Sequence, residues 1–132
     1  MRVTLDTNIL VRAVVQDDPI QAEAAAKVLR EAELAAIPLT CLCEFVWVLR
    51  RIYKFPRESI ASALHRLLAS SNVVTERAAA EAGLWVHEQG GDFADGAIEF
   101  AGRQLGGAKF ISFDGDAVRL FRRAGISAAM PT

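Results

Sequence analysis

Asp6, Glu44, Asp95 and Asp114 are the residues of this chain whose types and settings could do chemistry. Asp6 closes the apolar stretch Val3-Thr4-Leu5 and opens Asp6-Thr7-Asn8. Glu44 lies in the apolar run Cys41-Leu42-Cys43-Glu44-Phe45-Val46-Trp47. Asp95 sits in Asp92-Phe93-Ala94-Asp95-Gly96, and Asp114 ends Phe110-Ile111-Ser112-Phe113-Asp114. A carboxylate in apolar surroundings is costly unless it is paired, hydrated or bound to a cation. Two carboxylates ~5 Å apart repel by roughly 3 kcal/mol at an effective dielectric near 20. A hard divalent cation turns that repulsion into attraction, and oxygen-only ligands without His or Cys suit Mg²⁺ or Mn²⁺ rather than Zn²⁺. The chemistry of such a centre is metal-assisted attack of water on a phosphodiester.

The elements that must position these acids follow from local pattern. Residues 2–5 read as a first strand and residues 8–15 as a short helix. Asp18 followed by Pro19 is a helix start, opening an Ala-rich helix over 19–32. Residues 35–39 suit a second strand. Thr40 can cap a helix to about residue 53, with Phe45, Val48, Leu49 and Ile52 at helical spacing. Pro56 reopens a helix carrying Ile60, Leu64, Leu67 and Leu68 on one face. Residues 72–75 suit a third strand, and 77–89 a helix stopped by Gly90-Gly91. Asp92 caps a helix to about residue 105, closed by Gly106-Gly107. A fourth strand over 109–113, a helix over 116–124 stopped by Gly125, and a last strand over 126–128 complete the chain.

Strands that alternate with helices predict an α/β fold, a three-layer α/β/α sandwich around a short central parallel sheet. Residues 1–132 are expected to form one domain. Ligands of open parallel sheets bind beyond the carboxyl ends of the strands. Asp6 and Asp114 fall at such ends, and Glu44 and Asp95 near helix starts on the same edge. The four acids are therefore expected to share one mouth of the sheet.

Bulk composition narrows the class. The chain has 132 residues, 52% of them hydrophobic, enough for one real core and unlike a disordered segment. No apolar run approaches the roughly 20 residues that span a bilayer, and no signal peptide opens the chain. Cys41 and Cys43 stand too close together for an ordinary structural disulfide, which fits a reducing cytoplasm. Net charge is −1, yet six of the 16 acids (Asp6, Glu44, Asp92, Asp95, Asp114 and Asp116) lie in the site motifs, leaving 10 against 15 basic residues. Arg50, Arg51, Lys54 and Arg57 bunch together, as do Arg119, Arg122 and Arg123. A cation-filled acidic site on a basic body suits a polyanion, although a basic cluster is equally a solvated face.

The ordered motifs 3–12, 43–49, 92–95 and 112–114 resemble those of PIN-domain proteins, and more closely the VapC-like toxins of type II toxin–antitoxin pairs. The resemblance runs from residue 2 to about residue 124. It implies a metal-dependent endoribonuclease that is silenced by a cognate VapB-like antitoxin, and a homodimer within a larger toxin–antitoxin assembly. It places Asp6, Glu44, Asp95 and Asp114 on the family's acidic positions. Asp6, Asp95 and Asp114 are then the metal ligands, and Glu44 holds the ion through water or orients the attacking water. Asp116 matches a fifth, variable acidic position. Thr7 can hold a carboxylate or phosphate, Asn8 can brace backbone, and Ser112 can hydrogen-bond to an acid. Arg12 can pair with a site carboxylate or touch RNA. Arg50, Arg51, Lys54 and Arg57 can meet RNA or an acidic antitoxin segment.

Each assignment has a plainer counterpart. Asp6, Asp92, Asp114 and Asp116 can all serve as helix caps. Cys41 and Cys43 read as small buried side chains, and Trp47 and Trp85 as core or dimer packing. Gly96, early in a helix, costs about 1 kcal/mol against Ala unless a close backbone approach requires it. A catalytically silent RNA- or protein-binding module, a DNA nuclease of the same fold and a phosphate-receiving signalling domain are the competing functions. Intact, mutually repelling acids argue against the first. Lys109 at the start of its strand rather than its end argues against the last.

Overall fold

The computed structural model describes residues 1–132 and contains seven helices and five strands. In chain order they are β1 (Arg2–Thr4), α1 (Thr7–Val14), α2 (Pro19–Glu31), β2 (Leu34–Ala36), α3 (Leu39–Arg51), α4 (Arg57–Ala69), β3 (Val73–Val74), α5 (Arg77–Glu88), α6 (Phe93–Gln104), β4 (Phe110–Ile111), α7 (Gly115–Arg123) and β5 (Ala128–Ala129). The α/β class and the parallel pairing are as the sequence predicts. The chain divides into two compact units, Met1–Arg77 and Ala78–Thr132.

In the first unit β1, β2 and β3 form a parallel sheet in that order, with Val3 opposite Ala35 and Ala35 opposite Val73. Parallel strands need crossover connections, and α1–α2 and α3–α4 supply them. α1 packs on α2 and α3, and α3 on α4. Leu10, Val11, Ile37, Leu42, Phe45, Leu49, Ile60 and Leu64 are buried among these elements. Each such side chain contributes about 1.5–3 kcal/mol relative to exposure. Asp18 caps α2 as expected, its carboxylate accepting from the Gln21 N–H at 3.1 Å, with Pro19 in the first turn.

Two expectations fail here for physical reasons. β2 ends at Ala36 because Pro38, at φ −59° and ψ 150°, already turns the chain into α3. Thr40 therefore lies inside α3 and is not its cap. The Leu39 N–H instead donates to Glu76 Oε1 at 3.1 Å, a cap delivered from 37 residues away. Trp47 is not core: α3 buries Cys41, Leu42, Phe45, Val46 and Leu49, and that stripe leaves Trp47 57% exposed on the opposite side. Trp85 on α5 is also exposed.

In the second unit β4 and β5 pair in parallel, with Phe110 opposite Ala128. Val86, Val118, Leu120, Phe121 and Ala128 form the core, with Phe110 and Ile126 packed against it. The Phe110 and Phe121 rings meet edge to face, centroids 4.8 Å apart. Gly106 and Gly125 have φ of +102° and +79°, the left-handed conformation that ends α6 and α7. No helix is long and apolar enough to cross a membrane.

Gly96 has a specific job in this unit. A Cβ there would stand 2.7 Å from the Ala82 carbonyl oxygen, 2.7 Å from Val86 Cγ2 and 2.9 Å from Gly83 Cα. α6 therefore crosses α5 backbone to backbone, Gly against Gly, one residue after Asp95. Gly96→Ala should lower stability by about 1–3 kcal/mol, despite Ala's better helix propensity. Urea denaturation checks this; a more stable variant would show that the crossing opens freely.

Candidate active site

In the first unit the acids are set by the end of β1 and the start of α3. Buried Leu5 ends the strand run, and Asp6 becomes the N-cap of α1. Its Oδ1 accepts from the Ile9 N–H at 3.2 Å. Glu44 is exposed although Phe45 and Val46 beside it are buried. The Thr7 hydroxyl stands 3.1 Å from Glu44 Oε2, to which it donates, and 3.8 Å from Cys41 Sγ. Thr7 thus holds a carboxylate, as anticipated. Burial pushes the Cys41 thiol up; the Thr7 bond opposes that, and the charges of Asp6 and Glu44 add to it. Both carboxylates therefore act on one buried thiol, which places them at one corner of the unit.

In the second unit the acids come from the starts of α6 and α7. Asp92 caps α6, accepting from the Ala94 N–H at 3.1 Å, and Asp95 lies in the first turn. Asp114 caps α7 with Oδ1, which accepts from the Asp116 N–H at 3.0 Å and the Ala117 N–H at 3.2 Å. Ser112 Oγ accepts from the Asp114 N–H at 2.9 Å, so it braces the backbone of the acid rather than its carboxylate. Partial burial pushes Asp95 up to about 6, with the charges of Asp92 and then Asp114 adding to it. Asp116 is exposed and paired with Arg119 one helical turn on.

Asn8 is exposed. Arg12 binds Asp17 at 2.7 Å, so its carboxylate partner is not one of the candidate ligands. Arg50 and Arg57 are half-buried, and Arg51 and Lys54 exposed, around the turn from α3 to α4. Lys54 holds φ +57°, rare for a residue with a Cβ. Cys41 and Cys43 form no disulfide. Sequence reasoning missed Glu76 as a cap and Cys41 as a neighbour of Thr7. It also missed buried Glu99, whose carboxylate accepts from Arg103 Nε at 2.7 Å. The i,i+4 spacing of Glu99 and Arg103 was the available signal for that pair.

The pattern that defines the PIN domain matches residues 3–125. The chain belongs to the PIN-domain family. No individual curated protein matches it. PIN domains are typically metal-dependent nucleases that use divalent ions. The candidate donors of this PIN domain fit such an ion in kind: they are carboxylate oxygens, and Asp95 is raised first by burial and then by the charges of Asp92 and Asp114, which a cation would offset. No three His, Cys, Asp or Glu side chains stand grouped as a metal-holding set.

The sign of the Asp95 shift sets a pH dependence. A carboxyl raised from 3.8 to about 6 binds its proton more tightly folded than unfolded. Its stabilising contribution is full below pH 4 and is lost as pH rises through 6. In chelator, Asp95→Asn should therefore gain stability on the parent between pH 4 and 6.5. Thermal melts across that range check it; a difference that stays flat would remove the raised pKa that burial and the neighbouring charges give Asp95.

Proposed function

We propose that this PIN domain is a Mg²⁺- or Mn²⁺-dependent endoribonuclease of the VapC-like toxin type. The observation that supports it best is the set of acids at strand ends and helix starts, in PIN order, over a family match that spans both units. In this reading residues 1–132 act as one domain, with Asp6, Glu44, Asp95 and Asp114 as its catalytic acids. Asp6, Asp95 and Asp114 hold the ion, and Glu44 orients the attacking water. A VapB-like antitoxin silences the site, and the toxin works as a homodimer within a larger assembly in the cytoplasm. Arg50, Arg51, Lys54 and Arg57 offer phosphate contacts to RNA.

When bound, the ion neutralises charge on the phosphodiester and makes water acidic enough to attack at neutral pH. The chain's own residues do the rest. Capping bonds to Asp6 and Asp114 hold their carboxylates on rigid helix starts, each with one oxygen left for the cation. Thr7 fixes the rotamer of Glu44. Ser112 sets the backbone from which Asp114 projects. The carboxylates take up the proton that the attacking water releases.

Purified protein free of antitoxin should cut RNA into discrete fragments with Mg²⁺ or Mn²⁺ and not with chelator. Asp6→Asn and Asp95→Asn should each lose more than the roughly 10–100-fold that removal of an outer-shell partner costs, and Thr7→Val should fall within that range. Denaturing gels with circular dichroism as a folding control measure this. Undiminished cleavage by Asp6→Asn or Asp95→Asn would overturn the site assignment; no cleavage by folded parent would favour the binding module.

A further inference from the structure

Of the helices that follow or carry a candidate acid, α3 alone starts without a side-chain cap of its own. α1, α6 and α7 each start on an Asp that caps them. α3, which carries Glu44, starts on Pro38, which makes no side-chain capping bond, and its first turn holds no acid. A helix start without an acceptor leaves N–H groups unpaired and a positive end unbalanced. Here the acceptor comes from outside the helix. The Leu39 N–H donates to Glu76 Oε1 at 3.1 Å, across 37 residues of chain.

The segment that presents Glu76 is itself fixed on both sides. Before it, the Ile37 N–H donates to the Val74 carbonyl at 2.9 Å, extending the β2–β3 pairing. After it, Arg77 Nη2 donates to the Leu68 carbonyl at 2.8 Å, in the last turn of α4. Two neighbouring residues therefore set an acid on the N-terminus of α3 and a base on the C-terminus of α4. Each meets the helix end whose charge it complements.

We propose that Glu76 is a positioning residue for Glu44: by holding the first turn of α3, it sets where that carboxylate stands for the attacking water. The proposal rests on the nuclease reading above and deepens it, adding to that site a residue outside the acid set. Glu44 lies five residues beyond Leu39. That is about 7.5 Å along a helix that rises about 1.5 Å per residue, so a shift of the first turn is carried to Glu44 within one rigid element. The Thr7 bond that fixes the Glu44 rotamer spans 3.1 Å. A slip of about 0.5 Å would stretch it out of hydrogen-bond range. Misplacing a reacting group by about 1 Å costs on the order of 100-fold in rate.

The test measures kcat and KM of RNA cleavage with Mg²⁺ per folded molecule, with amide hydrogen exchange over residues 39–44 as a readout independent of activity. Glu76→Ala should lower kcat by roughly 10- to 100-fold with KM unchanged, and should speed exchange in the first turn of α3. Glu76→Gln keeps the acceptor and should stay within roughly fivefold of the parent, since only charge at the helix end is lost. Thr7→Val and Glu76→Ala act through the same carboxylate, so the double variant should lose little more than the worse single one. Ile60→Val loosens the core of the same unit without touching either bond and should keep the parent kcat. With a parent that cuts RNA, a parent-like kcat in Glu76→Ala overturns the proposal and leaves the nuclease reading standing. A loss in Glu76→Gln equal to that in Glu76→Ala, or losses in Thr7→Val and Glu76→Ala that simply add, also overturns it, because either separates the cap from Glu44. A folded parent that cuts no RNA removes the nuclease reading and this one with it, whatever the exchange rates in α3.

Discussion

A helix N-terminus needs an acceptor for its unpaired N–H groups, and this chain meets that need with the residues it can also use for chemistry. Asp6, Asp92 and Asp114 cap α1, α6 and α7. A cap removes the freedom of the carboxylate without consuming it, because one oxygen satisfies the helix and the other remains. The positive end of the helix dipole also makes it cheaper to hold negative charge there. The rest of the site leans on these anchors. Thr7 follows Asp6 and reaches Glu44, Ser112 precedes Asp114 and holds its backbone, and Asp95 follows Asp92 by one turn.

Capping and catalysis are therefore not rival explanations of the same acids. Under the proposed function, the capping role of each Asp is what fixes its position. The cost appears where capping is absent. Asp95 caps nothing, is half-buried, and lies near two other carboxylates, and its pKa rises to about 6 accordingly. The Gly96–Gly83 crossing brings α6 against α5 immediately after it and holds it in that setting.

Much of this was legible in the sequence because it is local. Asp18-Pro19, Asp92, the Gly-Gly pairs and Gly125 mark helix ends through side chains or backbone freedom within a few residues, and the helices lie where those signals place them. Thr7's hold on a carboxylate and the close approach at Gly96 were also among the readings the residues allowed. What escaped is non-local or a matter of facing. Glu76 caps α3 from 37 residues away, which no local pattern announces. Trp47 shares an apolar run with buried Phe45 and Val46 and reads as core spacing, yet it falls off the stripe that α3 buries. Arg12 found Asp17, five residues along, rather than a site acid. Strand lengths were overread because Pro38 and the short loops turn the chain into helix earlier than apolar composition suggests.

The central claim of the proposed function is that its candidate acids hold a divalent cation. Mn²⁺ binding followed by electron paramagnetic resonance tests it most directly, on the parent, Asp6→Asn, Asp114→Asn and the double variant. The proposal predicts that either substitution alone removes most of the affinity and that the second adds little. Losses that add independently, or tight binding retained by either single variant, would contradict it.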